Sequence, residues 1–262
     1  MLDEHVRPEH FGILPYFHLF GLKISSYTVF MLLALASAFL AFKLTKTSLN
    51  KENEKNRILI VLTALLGGIL GAKIPIWLAN TEYWFTYPQN LSLLFSGRTI
   101  VGGLFGGFLA VILLKRKLHL KIKTGNDIAA PAALGMAVGR LGCFFAGCCY
   151  GIQVPHGFPF GVDFGDGVLR FPTQLYELVF DLALFFLFLH LKKTKELKPG
   201  ILFFYLLNSY FIFRFFLEFI RVTDKVVLFI SYYQLLCLMC LVAINFKHFI
   251  SERKGKTDEQ QL

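Results

Sequence analysis

Residues 139–151 read GRLGCFFAGCCYG and hold one arginine, three cysteines and four glycines at the end of an apolar run. An arginine in such a run is costly to bury in hydrocarbon, so Arg140 needs a polar partner or a bound anion. Arginine keeps its charge and can grip phosphate or carboxylate oxygens two at a time. Gly139, Gly142, Gly147 and Gly151 let backbone come close to a helix or a ligand. Arg214 lies in a later apolar run between Tyr210 and Glu218, at spacings i, i+4, i+8 that share one helix face. Two arginines on different helices suggest one bound anion, and the abundant anion at that depth in a bilayer is a phospholipid phosphate. The plainer reading is an Arg214–Glu218 ion pair that only joins helices.

Three further groups could take part. Gln174, Glu177 and Asp181 fall near one face of another helix, where Glu177 serves either the site or helix packing. Cys143, Cys148 and Cys149 admit three readings: a nucleophile carrying a covalent lipid, small packing residues, or a disulfide such as Cys143–Cys148. A neighbouring arginine favours thiolate, whereas apolar surroundings oppose it. Cys237 and Cys240, at i, i+3, read as packing. No Cys/His spacing matches a zinc site, so neither metal nor cofactor is expected.

The elements that must position these residues are apolar helices. The chain has 262 residues, 55% of them hydrophobic, with thirty phenylalanines, and its mean hydropathy is +0.58. That composition predicts an all-α polytopic membrane protein. The net charge of +10 sits in short loops between apolar spans, which argues against nucleic acid as a partner. Residues 1–10 are polar and mixed in charge, unlike a cleavable signal peptide. Seven spans are expected, roughly at 24–42, 58–79, 100–114, 128–145, 173–191, 200–220 and 226–246. Residues 1–23 read as an interfacial amphipathic arm and 247–262 as a charged tail of one integral-membrane domain. Tyr83, Trp84, Phe85 and Tyr87 have an interfacial-belt composition. VGGLFGG at 101–107 carries overlapping small-residue pairs suited to close helix contact, and Pro131 is expected in a first helical turn. Lys73 is placed to snorkel. The segments after spans 1, 3, 5 and 7 hold 5, 5, 4 and 4 Lys plus Arg, against six on the other side. The positive-inside rule then puts the N-terminus out, the C-terminus in and the 139–151 stretch toward the outer face.

The chain resembles the bacterial prolipoprotein diacylglyceryl transferase family over most of its length. GRLGCFFAGCCYG is similar to the family signature GR-x-G-N-F-x-N-G-x-x-x-G, VGGLFGG to HGGLIG, FPTQLYE at 171–177 to HPSQLYE, and YFIFRFFLEFIR at 210–221 to Y-G-x-F-R-F-x-x-E-F-x-R. The resemblance implies a seven-helix, N-out transferase of the bacterial cytoplasmic (inner) membrane with its site toward the outer leaflet. Its substrates would be phosphatidylglycerol and the lipobox cysteine thiol of a preprolipoprotein signal peptide; a thioether forms and glycerol phosphate leaves. It makes Arg140, Arg214, Glu218, Tyr27 and Tyr210 the catalytic candidates. Gly102, Gly103, Gly142, Cys143, Gly151, Gln174 and Glu177 join Arg140 and Arg214 as substrate-binding candidates. Val101 and Phe171 stand at the two family histidines, and Cys143 at the signature asparagine. Substitute bases would be Glu218, Glu177, Asp127 or His156. The alternatives are a phospholipid-dependent transferase with a different acceptor, and a non-catalytic lipid-binding or transport protein.

Overall fold

The computed structural model describes residues 11–19, 21–79, 81, 97–223, 225–227 and 230–259. Among them seven α-helices run in order: α1 Ser26–Thr45, α2 Lys51–Ala79, α3 Ile100–Lys117, α4 Gly125–Phe145, α5 Thr173–Thr194, α6 Ile201–Leu217 and α7 Tyr232–Glu259. Three two-stranded antiparallel ribbons accompany them: β1 Tyr16–Leu19 with β2 Leu22–Ser25, β3 Val162–Asp163 with β4 Leu169–Arg170, and β5 Lys225–Val227 with β6 Ile230–Ser231. The all-α expectation therefore holds for the bundle, and the ribbons correct it for the connections. The end of the N-terminal arm forms a hairpin, with Tyr16 opposite Ser25 and a turn that uses the left-handed φ of Gly21. The expected start of the seventh span is likewise ribbon. Residues 1–10 and the aromatic belt Tyr83, Trp84, Phe85 and Tyr87 lie outside the described residues.

Helix ends extend past the apolar runs because polar turns also satisfy the backbone. The side chain of Asn50 accepts from Asn53 N (2.9 Å), and Glu52 and Glu54 occupy the first turn of α2, where carboxylates suit the helix dipole. α4 starts at Gly125, so Pro131 is an interior residue and not part of a first turn. α6 stops at Leu217, and a 3-10 turn, Glu218–Ile220, carries on from it. Five helices (α1, α2, α4, α5 and α6 with its 3-10 extension) are long and apolar enough to cross a membrane. α3 ends in Lys115, Arg116 and Lys117, and α7 includes Asn245, Lys247 and His248. Leu35, Phe39, Leu62, Leu66 and Ile69 are more than half exposed on α1 and α2, as a hydrocarbon solvent permits.

Two kinds of contact hold the bundle. The first is glycine packing. A Cβ on Gly71 of α2 would fall 2.4 Å from Gly102 O, and one on Gly106 of α3 would fall 2.6 Å from Gly67 O. The small-residue pairs of 101–107 thus bring α3 backbone to backbone with α2. The second is an ion cluster at the N-terminal end of α4. Asp127 accepts from Thr47 Oγ1 (2.9 Å), Arg57 Nη1 (3.3 Å) and Lys192 Nζ, tying the α1–α2 connection, α2, α4 and α5 together. Asn126 accepts from Leu202 N (3.0 Å) and donates to Lys198 O (3.1 Å), which adds α6. Gly71→Val is expected to destabilise the protein by about 1–3 kcal/mol or more through overpacking. Gly68→Ala, whose added Cβ would sit 3.4 Å from Gly103 O, should leave it near wild type. Thermal unfolding in detergent compares the two, and equal melting points would contradict a backbone-close α2–α3 contact.

Candidate active site

Arg140 lies thirteen residues along α4 from Asp127, about 20 Å at the helical rise, so the two ends of α4 carry separate ionic clusters. At the Arg140 end the hub is Glu177, in the second turn of α5 and fully buried. It pairs with Arg140 Nη2, accepts from Tyr210 OH (3.0 Å) and Arg214 Nη1 (2.8 Å), and lies 3.7 Å from Arg221 Nη1. Glu218, also fully buried, pairs with Arg214 Nη2 at 2.8 Å and Arg221 Nε at 3.6 Å. Tyr210 and Arg214 are one helical turn apart on α6, as the spacing predicts, and Glu218 follows where the 3-10 turn begins. Three guanidiniums thus face two carboxylates in one buried cluster. Asp181, one turn beyond Glu177 and fully buried, has neither oxygen hydrogen-bonded among the described residues. Arg140 Nε likewise is a buried donor with no acceptor among them.

The loop after α4 closes over this cluster. Gly147, at φ +67°, starts the turn, and Cys149 holds a left-handed φ of +63°, uncommon for a side chain with a Cβ. Side-chain donors grip its carbonyls: Gln174 Nε2 on Cys148 O (2.6 Å), Thr173 Oγ1 on Cys149 O (2.6 Å) and Arg221 Nη1 on Cys149 O (2.8 Å). Gly151 fits where a Cβ would fall 2.5 Å from Ile220 O and 2.8 Å from Phe171 Cβ. The hairpin β3–β4 packs outside: Asp163 Oδ1 accepts from Gly165 N, Asp166 N and Gly167 N (2.8–3.1 Å), and buried Phe164 stacks on Tyr150. Arg170 makes a paired contact with Asp166, which holds that carboxyl below the usual carboxylate range. In the same loop, hydrogen bonds from the Cys143 and Cys148 thiols, with Arg221 and Arg140 nearby, hold the Cys149 thiol well below its ordinary range.

Arg140, Arg214, Glu218, Tyr210, Glu177, Gln174 and Gly151 therefore converge. Cys143 is 3.9 Å from Arg140 Nη1 through its Sγ. Tyr27 opens α1 beside the same loop, with the Arg98 guanidinium over its ring at 5.9 Å. Gly142 brings α4 against α1, where a Cβ would lie 2.9 Å from Phe30 Cβ. Gly102 and Gly103 have their close contacts with α2, at Gly71 and Gly68. Val101 is core, packed with Leu207, Tyr210, Cys237 and Cys240, and Phe171 packs edge-on to Phe158. Asp127 is a structural anchor at the far end of α4 and His156 is exposed in the loop, so neither reaches the cluster as a substitute base. The reading from sequence missed Arg221, counting it only as a loop charge. The signal was its place three residues after Glu218, at the end of YFIFRFFLEFIR.

Comparison with known proteins follows the same residues. A family model, prolipoprotein diacylglyceryl transferase, matches residues 15–249. The chain belongs to that family. A phosphatidylglycerol–prolipoprotein diacylglyceryl transferase of Clostridium tetani is 33% identical over 213 residues, 78% of this chain and 84% of the relative. Enzyme 2 of that name from Clostridium perfringens is 33% identical over 251 residues, 92% of this chain and 96% of the relative. One from Geobacter sulfurreducens is 35% identical over 170 residues, 63% of this chain. Where the resemblance of the motifs places histidines, this chain has Val101 and Phe171, both packed against apolar neighbours.

Glu177→Gln should cost about 3–5 kcal/mol, because it leaves three buried guanidiniums short of a countercharge. Tyr210→Phe, which removes one neutral donor to Glu177, should cost roughly 0.5–1.5 kcal/mol. Unfolding of both variants in detergent tests the ranking; a Glu177→Gln protein as stable as wild type would show that Glu177 is not the hub.

Proposed function

We propose that this chain transfers the diacylglyceryl group of phosphatidylglycerol to the lipobox cysteine thiol of a preprolipoprotein, as a single seven-span domain of the bacterial cytoplasmic membrane with its site toward the outer leaflet. The observation that carries the reading is the convergence of Arg140, Arg214 and Arg221 from α4, α6 and the turn after it on one buried carboxylate. Glu177 orients the guanidinium planes, and the three guanidiniums outnumber the two carboxylates they face by one. A phosphodiester supplies one negative charge.

In the transfer, the acceptor sulfur bonds to the glyceryl carbon, and that carbon's bond to the phosphate oxygen breaks. Glycerol phosphate leaves, and the thiol proton is balanced by the phosphate oxygen released. Negative charge grows on that oxygen as the bond breaks, so preset guanidiniums in a water-poor site stabilise the transition state more than the ground state. The buried Nε of Arg140 is a donor that the protein leaves unused among the described residues. Tyr210 and Tyr27 would orient headgroup hydroxyls. Val101 and Phe171 favour one second reading, the same lipid donor with a different acceptor, because no imidazole stands at those positions.

Protein reconstituted with phosphatidylglycerol vesicles and a lipobox peptide should raise the peptide mass by one diacylglyceryl group. No gain from folded, reduced protein that still releases glycerol phosphate would select the second reading. Arg140→Ala and Arg214→Ala should each lose at least about 100-fold in turnover, the scale of a lost oxyanion donor; full activity in either would remove the phosphate site. Separate Cys143→Ser, Cys148→Ser and Cys149→Ser variants that all stay active would exclude a covalent lipid–thiol intermediate. For orientation, a C-terminal green fluorescent protein should fluoresce while a C-terminal alkaline phosphatase stays inactive; the reverse would invert the topology.

A further inference from the structure

The transfer chemistry leaves three thiols without a role. Cys143 is in the last turn of α4, and Cys148 and Cys149 are in the turn beyond it; their Sγ atoms all lie within 4.8 Å of one another. The spacing in sequence matches no zinc pattern, yet the turn closes the gap, with Cys148 N donating to Cys143 O at 3.0 Å. Anchors outside the triad hold this geometry. Gln174 and Thr173 at the start of α5, and Arg221 beyond α6, take the carbonyls of Cys148 and Cys149, and Cys149 is kept at φ +63°. The triangle is therefore built by three separate elements.

We propose that Cys143, Cys148 and Cys149 form a three-thiolate site for a soft d10 cation of the Zn2+ and Cu+ class. An ion with metal–sulfur distances of about 2.3 Å needs sulfurs about 3.8–4.0 Å apart. A triangle with no side above 4.8 Å reaches that by rotamer adjustments of less than about 1 Å per side. Three sulfur donors without oxygen or imidazole select soft cations over Mg2+ or Ca2+. Binding turns three thiols into thiolates and releases their protons, so Zn2+ leaves a net charge of −1 and Cu+ of −2. Arg140, 3.9 Å from Cys143 Sγ through Nη1, and Arg221, on the Cys149 carbonyl, supply the countercharge that such a buried anion requires. The bound ion would therefore compete with a phosphate for Arg140. This site does not depend on the transfer reaction.

The test uses the full-length protein, purified in detergent, reduced, and freed of reductant. Titration with Zn2+ against a chromogenic chelator should give one tightly held ion per chain. X-ray absorption of the loaded protein should show three sulfur scatterers at about 2.3 Å. No bound zinc, or a first shell of oxygen and nitrogen, would overturn the proposal, and neither result needs a variant. Cd2+ should give a thiolate-to-metal ultraviolet band. Cys143→Ala, Cys148→Ala and Cys149→Ala should each weaken Cd2+ binding at least tenfold, and a Cys237→Ala/Cys240→Ala protein should bind as wild type does. A band lost only in the last variant would place the metal on α7 and refute the assignment.

Discussion

One buried carboxylate holds the Arg140 end of this molecule together. Glu177 takes donors from α4, α6 and the turn that follows, so removing its charge would leave guanidiniums facing each other in a medium that screens them poorly. Desolvating so many ions is expensive, and well-packed apolar residues would give a more stable bundle. Keeping them makes sense if the arginines are needed for something the fold alone does not require. The far end of α4 is fastened independently, through Asp127 to Thr47, Arg57 and Lys192. A helix tied at both ends presents Arg140 at a fixed height, and electrostatic catalysis depends on charges that do not have to reorganise when the substrate reacts.

Much of this was legible in the chain because the chemistry was written in short, local spacings. Tyr210, Arg214 and Glu218 follow helical periodicity, and an arginine among phenylalanines is anomalous enough to demand a reason. Apolar runs located the helices, and the glycines of 101–107 announced a close neighbour. What local spacing cannot carry is the partner. Nothing near Glu177 says that it meets arginines 37 residues away on both sides, and Arg221 looked like any loop charge until the 3-10 turn folded it back. The same limit applies to Asp127, which looked available for chemistry and is consumed by long-range anchoring. The ribbons were missed for another reason: in so apolar a chain, Tyr16–Leu19 and Val162–Asp163 offer too few residues for alternation to stand out against helix.

Two positions where the resembling motifs carry histidine are packing positions in this chain. Val101 fills its space among Leu207, Tyr210 and the α7 cysteines, and Phe171 rests against Phe158. Both are complete as packing. Three thiols, Cys143, Cys148 and Cys149, stand at the end of α4 and in the turn beyond it, with Cys143 Sγ 3.9 Å from Arg140 Nη1. The carbonyls of Cys148 and Cys149 are held by side-chain donors from Gln174, Thr173 and Arg221, which fixes the backbone of two of the three thiols.

The glycine seam between α2 and α3 has a mechanical consequence. Where backbones touch at Gly71–Gly102 and Gly67–Gly106, little can repack, and sliding one helix along the other would drive backbone into backbone. These two helices must travel as a single strut. α4 meets α1 less tightly, with Gly142 against Phe30 Cβ and Gly135 against Ala38 Cβ. Relative movement of the helices therefore falls at the other joints, where flexible leucine and phenylalanine side chains can swing aside and return.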